Sequence, residues 1–154
     1  MALVRVAPAD FDVSAEIAAL GAGRHDIGAI GSFVGTVRGV AHGRALATMT
    51  LEHYPGMTER AMAGIAAAAE RRWALLGCTL VHRVGELRPG ENIVLVLAAA
   101  SHRQAALEAT GFLIDWLKTR APFWKRERFV DGDAAWVDAR EDDEAAAARW
   151  GALG

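Results

Sequence analysis

The chain has only two lysines, and both fall within one short stretch. Of its 17 basic residues, 15 are arginine and the other two are Lys118 and Lys125. An amine can lose its proton when desolvated, transfer protons or attack a carbonyl, whereas a guanidinium stays charged. We therefore interpret the two lysines as candidate acid, base or nucleophilic groups. The alternative is chance clustering of two exposed cations, with Lys118 favoured by the dipole at a helix C-terminus.

A second group, Ser101-His102-Arg103, stands where a long helix is predicted to begin. Free backbone N–H groups at a helix start, together with two cations, suit an anion and especially a phosphate. The plainer alternative is an ordinary helix start capped by Ser101. Lys118 follows Arg103 by 15 residues, which is roughly 22 Å along a helix. One subunit cannot easily bring both residues to one pocket, so either the site is elongated or two subunits build it.

The remaining candidate groups carry weaker signals. The histidines show no metal-ligand spacing, so no metal site is predicted, and Glu52-His53 and His82-Arg83 are interpreted as structural. Cys78 lies between a predicted helix and a predicted strand, which favours a buried thiol over a nucleophile. The chain has no dinucleotide-binding glycine pattern, phosphate loop or serine-hydrolase elbow.

Length and composition exclude several classes of protein. A chain of 154 residues corresponds to one domain, predicted over 1–154. The net charge of −2 argues against a nucleic-acid partner. No stretch approaches the roughly 20 apolar residues of a membrane span. The first residues lack the pattern of a signal peptide, and a single cysteine cannot form an intrachain disulfide. A cytoplasmic protein without membrane contact is expected.

Helices and strands that must position these residues are interleaved along the chain, which is typical of the α+β class. We predict three main helices at 57–76, 101–120 and 141–150, and a short helix from 12 or 14 to 20. Five to seven strands are predicted, at 3–6, 27–37, 45–53, 79–84, 92–100, 123–130 and 135–137. Three glycines in 27–37 predict a close backbone approach or a bulge. Residues 38–44 are predicted to form a mobile loop, and 86–91 a turn.

Five motifs occur in a fixed order: SFVGTVR (32–38), LEHYPGMTE (51–59), HRVG (82–85), SHR (101–103) and LKTRAPFWKRE (117–127). Asp131-Gly132 and Trp136-Val137 follow them. From about Val4 to Trp150, this series closely resembles the large, catalytic subunit of molybdopterin synthase, the MoaE family. The chain departs from that pattern at Gly31, where a larger apolar residue is expected, and in the loop 39–44, which lacks its usual polar character.

The resemblance implies an α/β hammerhead fold with a mostly antiparallel sheet. It implies a sulfurtransferase that converts cyclic pyranopterin monophosphate into molybdopterin by installing two sulfurs as a dithiolene. The sulfur arrives as a thiocarboxylate on the C-terminal glycine of a small ubiquitin-like partner, whose Gly-Gly tail enters a pocket of the large subunit. Two large subunits form a homodimer inside a heterotetramer, and the pterin pocket draws on both. No cofactor or metal is implied.

The same resemblance assigns residues to the site. Lys118 would be the principal catalytic lysine, beside the thiocarboxylate, and Lys125 the second. His102 and Arg103 would reach the substrate from the neighbouring subunit. The full set of implied substrate-binding residues is Thr36, Val37, Arg38, His102, Arg103, Lys118, Lys125, Arg126 and Glu127. Proton transfer, charge stabilisation and a transient covalent link all remain open as the role of Lys118.

Two other functions compete with this interpretation. One is a non-catalytic dimeric homologue that binds the small subunit or a phosphate ligand without turnover. The presence of both lysines together with Arg38, His102 and Arg103 argues against it. The other is an unrelated enzyme in which Lys118 forms a Schiff base with a carbonyl substrate.

Overall fold

The computed structural model of the chain describes residues 2–137 and 141–151, without the side chains of residues 141 and 142. Its four helices are α1 (Val13–Gly21), α2 (Met57–Trp73), α3 (Arg103–Arg120) and α4 (Glu141–Ala148). Its strands are β1 (Leu3–Ala7), β2 (Ala29–Thr36), β3 (Val40–Ala41), β4 (Arg44–His53), β5 (Gly77–Arg83), β6 (Gly85–Leu87), β7 (Asn92–Ala100), β8 (Phe123–Phe129) and β9 (Ala134–Val137). The predicted α+β class is confirmed.

The first sheet has the strand order β1-β5-β7-β2 and carries helices on both faces. Only the β1–β5 pair is parallel, so the prediction of a mostly antiparallel sheet is confirmed. Side chains alternate across these strands. Leu80 and Val96 therefore pack under α2 and α3, whereas Val81 and Leu95 pack under α1. Because both faces are covered, β7 is an almost uninterrupted apolar strand.

The second sheet has the order β3-β4-β8-β9, with β6 paired to β4. Its smaller core contains Val37, Ala41, Leu46, Met49, Leu51, Leu87 and Phe129. Ile93, near the start of β7, packs against this core and also against the core of the first sheet. The two sheets therefore meet at this end of β7.

Glycines allow β2 to lie close to its neighbours, as the sequence predicts. A Cβ at Gly31 would lie 2.5 Å from the carbonyl oxygen of Ala106 and would overlap the Thr110 hydroxyl. A Cβ at Gly28 would overlap the backbone of Ser101. The expectation of a larger apolar residue at Gly31 is therefore wrong, because α3 occupies that space. The predicted bulge also occurs, between Gly35 and Thr36.

Two segments predicted as loop or turn contain strands. Residues 38–44 form a tight hairpin in which β3 pairs with the start of β4. His42 and Gly43 turn the chain there with φ values of 53° and 72°. Within the predicted turn 86–91, β6 pairs with Met49–Leu51 of β4 and buries Leu87. One apolar residue in a three-residue strand gives no readable periodicity.

The start of α3 also differs from the prediction. The helix begins at Arg103, and His102, not Ser101, occupies the capping position, without a side-chain cap. Ser101 lies before the cap, and its backbone packs closely against Gly28. Among the described residues, no helix is long and apolar enough to span a membrane.

Replacing Gly31 with alanine should destabilise the fold. The added Cβ cannot fit unless α3 moves away from β2, and overpacking of this kind costs about 1–3 kcal/mol. Gly64→Ala is the matched control, since nothing lies within 4 Å of a Cβ at that exposed position of α2. That change should stabilise the helix by about 0.5–1 kcal/mol. Urea unfolding of the two variants should therefore give changes of opposite sign. Equal stability of both variants would contradict the close contact of α3 with β2.

Candidate active site

An open cavity of about 290 Å³ lies where the C-terminal end of α3 meets the second sheet. Apolar side chains of β4 line its wall together with Ile93 of β7 and Leu117 of α3. Five of the sequence-predicted site residues also line it: Thr36, Arg38, Lys118, Lys125 and Glu127. These residues come from three separate parts of the chain, so the fold assembles them in one place.

A sharp corner between α3 and β8 brings the two lysines to the same cavity. Ala121 adopts an extended conformation with φ −80° and ψ 129°, as expected for a residue before proline. Pro122 then ends the helix, and β8 begins at Phe123. Strand alternation directs Lys125 toward the cavity with Phe123 and Glu127. The chain therefore folds back between Lys118 and Lys125, and both residues line the cavity.

Thr58, in the first turn of α2, contacts this corner. The fully buried Thr58 donates a hydrogen bond from its hydroxyl to the carbonyl oxygen of Tyr54, at 2.9 Å. Its hydroxyl also accepts from the Tyr54 N–H and lies 3.5 Å from the carbonyl oxygen of Pro122. The motif 51–59 thus ends β4, begins α2 and contacts the corner after α3.

Backbone contacts hold the segment 36–38 at the other side of the cavity. The Val37 N–H donates to the carbonyl oxygen of Glu91 at 2.9 Å, and the Gly90 N–H donates to the carbonyl oxygen of Val37 at 2.8 Å. The Val37 side chain is buried in the core of the second sheet and does not line the cavity. It anchors its neighbours Thr36 and Arg38, which do line it.

The cavity is lined by cations and carboxylates. Arg38, Lys118 and Lys125 contribute basic side chains, and Asp143 of α4 contributes a carboxylate. The other carboxylate, Glu127, is buried, and its Oε1 lies 3.3 Å from Nε2 of His42 in the β3–β4 turn. Among the described lining residues, three basic side chains stand against the two carboxylates Glu127 and Asp143, which favours an anionic ligand in the cavity.

Other predicted site residues lie away from this cavity. His102 and Arg103 are exposed at the opposite end of the continuous helix α3. Arg126 lies on the outer face of β8, with its register partner Trp136 on β9. None of the three lines the cavity, and their roles in substrate binding stay predictions.

Across 2–137 and 141–151, no group of three histidine, cysteine or acidic side chains is placed to hold a metal.

His82 lines the cavity, although its sequence context predicts a structural role. Its ring stacks on Phe123 with a centroid distance of 3.7 Å and an interplanar angle of 17°. Burial lowers the pKa of His82 to about 4, and the neighbouring charges of Lys118 and His53 act in the same direction. The alternation of β5 puts His82 on the same face as the buried Cys78 and Leu80, which predicts burial but does not distinguish a cavity-lining residue from a core residue.

Cys78 itself lies in the main core. Burial raises the pKa of its thiol to about 12, so the thiol stays protonated at neutral pH. The predicted burial of this thiol is confirmed.

Known proteins resemble the chain along nearly its whole length. The sequence model of a family described as MoaE protein matches residues 6–120. The molybdopterin synthase catalytic subunit of Mesorhizobium japonicum is 57% identical over 148 residues, covering 96% of this chain and 92% of the relative. The subunit of the same name from Ralstonia nicotianae is 56% identical over 151 residues, covering 98% of this chain and 85% of the relative.

A solved structure shares both sequence and fold. The molybdopterin biosynthesis MoaE protein from Burkholderia ambifaria superimposes with a TM-score of 0.85 at 53% identity, and 99% of each chain is covered. Together with the family match over 6–120, this similarity shows that the chain belongs to the MoaE protein family.

Proposed function

We propose that the chain is the catalytic subunit of a molybdopterin synthase and that the cavity at the end of α3 is its reaction site. The main observation behind this proposal is that Lys118, Lys125 and Arg38 all line one cavity. Relatives more than half identical to this chain are named as that subunit. The reaction is transfer of sulfur to cyclic pyranopterin monophosphate, which forms the dithiolene of molybdopterin.

The charges of the cavity suit this chemistry. The substrate carries a cyclic phosphate that opens during the reaction, and the sulfur donor is an anionic thiocarboxylate. Fixed cations stabilise negative charge where it develops. A positioned lysine amine also moves protons as sulfur adds and the donor is released as a carboxylate. Arg38 supplies charge alone, whereas Lys118 and Lys125 can do both.

The sulfur donor is proposed to be a small ubiquitin-like subunit with a C-terminal Gly-Gly tail. The cavity is open, and it has an apolar wall formed by Leu46, Met49 and Leu51 next to the lysines. A thin glycine tail fits such an opening because it has no side chains to accommodate. Thiocarboxylates and free thiols persist in a reducing compartment, which places the proposed reaction in the cytoplasm.

The substrate site is proposed to be completed by a second copy of the chain. Arg103 and Lys118 lie on one continuous helix, which separates their Cα atoms by roughly 22 Å. His102 and Arg103 therefore serve the cavity of the neighbouring subunit, where they bind the phosphate or the pterin. This arrangement gives a homodimer with a small subunit at each cavity, hence a heterotetramer.

Lys118→Ala should abolish product formation. Dithiolene product is measured after mixing the protein with the thiocarboxylated small subunit and cyclic pyranopterin monophosphate. We expect the rate to fall by at least about 100-fold, the usual contribution of a positioned proton-transfer group. Arg120→Ala is the matched control, because this exposed cation near the same helix end does not line the cavity; it should retain the wild-type rate.

Two results would contradict this expectation, and one further variant separates the possible roles of Lys118. Equal product from wild type and Lys118→Ala would remove Lys118 from its role. Lys118→Arg separates charge stabilisation, which arginine retains, from proton transfer or covalent chemistry, which it does not. No product from the wild type, with the small subunit shown to bind, would contradict the enzyme and favour the non-catalytic homologue.

A composite site predicts complementation between two inactive variants. Lys118→Ala and Arg103→Ala are each expected to be inactive as homodimers. After unfolding and refolding together, half of the dimers are mixed, and each mixed dimer holds one intact site out of two. Activity should return to about one quarter of the wild-type value. Mixing without subunit exchange is the control. No recovery in verified mixed dimers would place both residues in the site of one subunit.

A further inference from the structure

The β3–β4 hairpin forms part of the cavity wall. Val40 and Ala41 line the cavity, and Ala41 is buried in the core of the second sheet. The Leu46 N–H donates to the carbonyl oxygen of Gly39 at 2.9 Å and closes the base of the hairpin. Arg38, which also lines the cavity, directly precedes this segment. The position of the hairpin therefore determines the shape of one side of the cavity.

His42 stands in the turn of this hairpin, at a position that favours a different residue. The turn has positive φ at both of its residues, 53° at His42 and 72° at Gly43. Histidine tolerates the left-handed region, but asparagine followed by glycine is the preferred pair in a two-residue turn of this kind. Turn formation alone therefore does not explain an imidazole at this position.

The imidazole of His42 reaches a carboxylate that lines the cavity. Its Nε2 lies 3.3 Å from Oε1 of Glu127. An ionised carboxylate can only accept a hydrogen bond, so Nε2 is the donor. The side chain of His42 is 57% exposed, whereas that of Glu127 is 5% exposed. Among the side chains that the structure describes, His42 is the one hydrogen-bonding partner of this buried carboxylate.

Arg44 attaches the same hairpin at a second place, away from the cavity. Its guanidinium donates to the carboxylates of Asp131 and Asp133 between β8 and β9, and it lies 4.2 Å from the centroid of the Phe129 ring. Arg44 does not line the cavity. Of these two attachments, the one through His42 ends on a cavity-lining carboxylate.

We propose that His42 is a positioning residue of the reaction site, which holds the Glu127 carboxylate toward the hairpin through the hydrogen bond from Nε2. This inference rests on the proposed function. Glu127 lines the cavity together with Lys118 and Lys125. Released from His42, a buried carboxylate turns toward another partner for its charge, and the cavity lysines are available to it as basic groups. An ion pair formed there would occupy a basic group that an anionic substrate needs.

Two substitutions of His42 separate the contact with Glu127 from the conformation of the turn. His42→Asn suits the turn better, but its shorter side chain ends before the position of Nε2 and loses the contact. His42→Gln places an amide N–H near the position of Nε2, although glutamine suits a positive φ less well. Tm should therefore stay equal or rise in His42→Asn, and stay equal or fall in His42→Gln. Activity should follow the contact and thus change in the opposite order.

Crystal structures of the two variants test the contact without any turnover. We expect Glu127 to keep its side-chain rotamer in His42→Gln and to adopt a different rotamer in His42→Asn. An unchanged Glu127 in folded His42→Asn would overturn the proposal.

Steady-state rates of product formation test the consequence for the reaction. In His42→Asn, kcat should fall by about 10-fold, because a small misplacement of a site group is costly in rate, whereas KM for the small subunit should change little. His42→Gln should recover most of kcat. A merely structural role of His42 predicts the reverse, with activity following Tm, and that result would contradict the proposal.

Arg44→Gln is the matched control, since it removes the second attachment of the hairpin and leaves the contact of His42 with Glu127 in place. This variant should keep the wild-type kcat. If it is as slow as His42→Asn, the position of the hairpin and not that of the carboxylate controls the rate, and the proposal is wrong.

Glu127→Gln completes a double-mutant cycle with His42→Asn. A neutral amide released from His42 cannot form an ion pair with a lysine, so adding His42→Asn to Glu127→Gln should lower kcat by less than about twofold. Losses that multiply would show that the two residues act independently, against the proposal. If the wild type forms no product, the proposed function fails, whereas the crystal structures still decide whether His42 holds Glu127.

Discussion

Helix α3 packs so closely on β2 that a side chain at Gly31 would not fit between them. Gly31 gives room for the backbone at Ala106, and Gly28 gives room for the backbone at Ser101. These contacts hold Ser101 and the first half of α3 close to β2 and the segment before it. Lys118 stands in the last turn of the same continuous helix, so two residues without a functional group contribute to the placement of the helix that carries it.

The cavity lies between two cores of different size. Lys118 belongs to a helix that packs on the large core, whereas Lys125 belongs to a strand of the smaller second sheet. The corner at Pro122, which the Thr58 hydroxyl contacts, connects the helix and the strand over a short stretch of chain. A short connection limits the relative positions of the two backbone segments that carry Lys118 and Lys125, so both side chains start from fixed points beside the cavity.

Much of this arrangement is predictable from the sequence, since the long elements carry clear signals. The apolar run 92–100, the helix ended by Pro122 and the glycine-rich strand were each identified close to their observed limits. Proline restricts the residue before it, so the fold-back of Lys125 toward Lys118 was also accessible. The family resemblance then placed Thr36, Arg38 and Glu127 in the same site, which no local pattern could do.

The features of the fold and the site that the sequence does not predict depend on contacts between distant segments. β6 exists because its three residues pair with β4, and the start of α3 is set by Gly28. Gly31 was interpreted as a departure from the family, although it is required by the proximity of α3. His82 was interpreted as structural because one histidine in a buried strand has no distinctive spacing. Only the folded chain shows that it stacks on Phe123 and faces the cavity.

The scarcity of lysine limits the side chains to which an activated donor tail could become covalently attached. A donor tail activated at its C-terminal carbonyl can acylate any accessible primary amine and so become attached to the protein by an isopeptide bond. Guanidinium groups do not react in this way at neutral pH. Both side-chain amines of this chain line the cavity, and the remaining basic side chains are arginines. Acylation of lysine by the proposed donor tail is therefore confined to the residues that line this cavity.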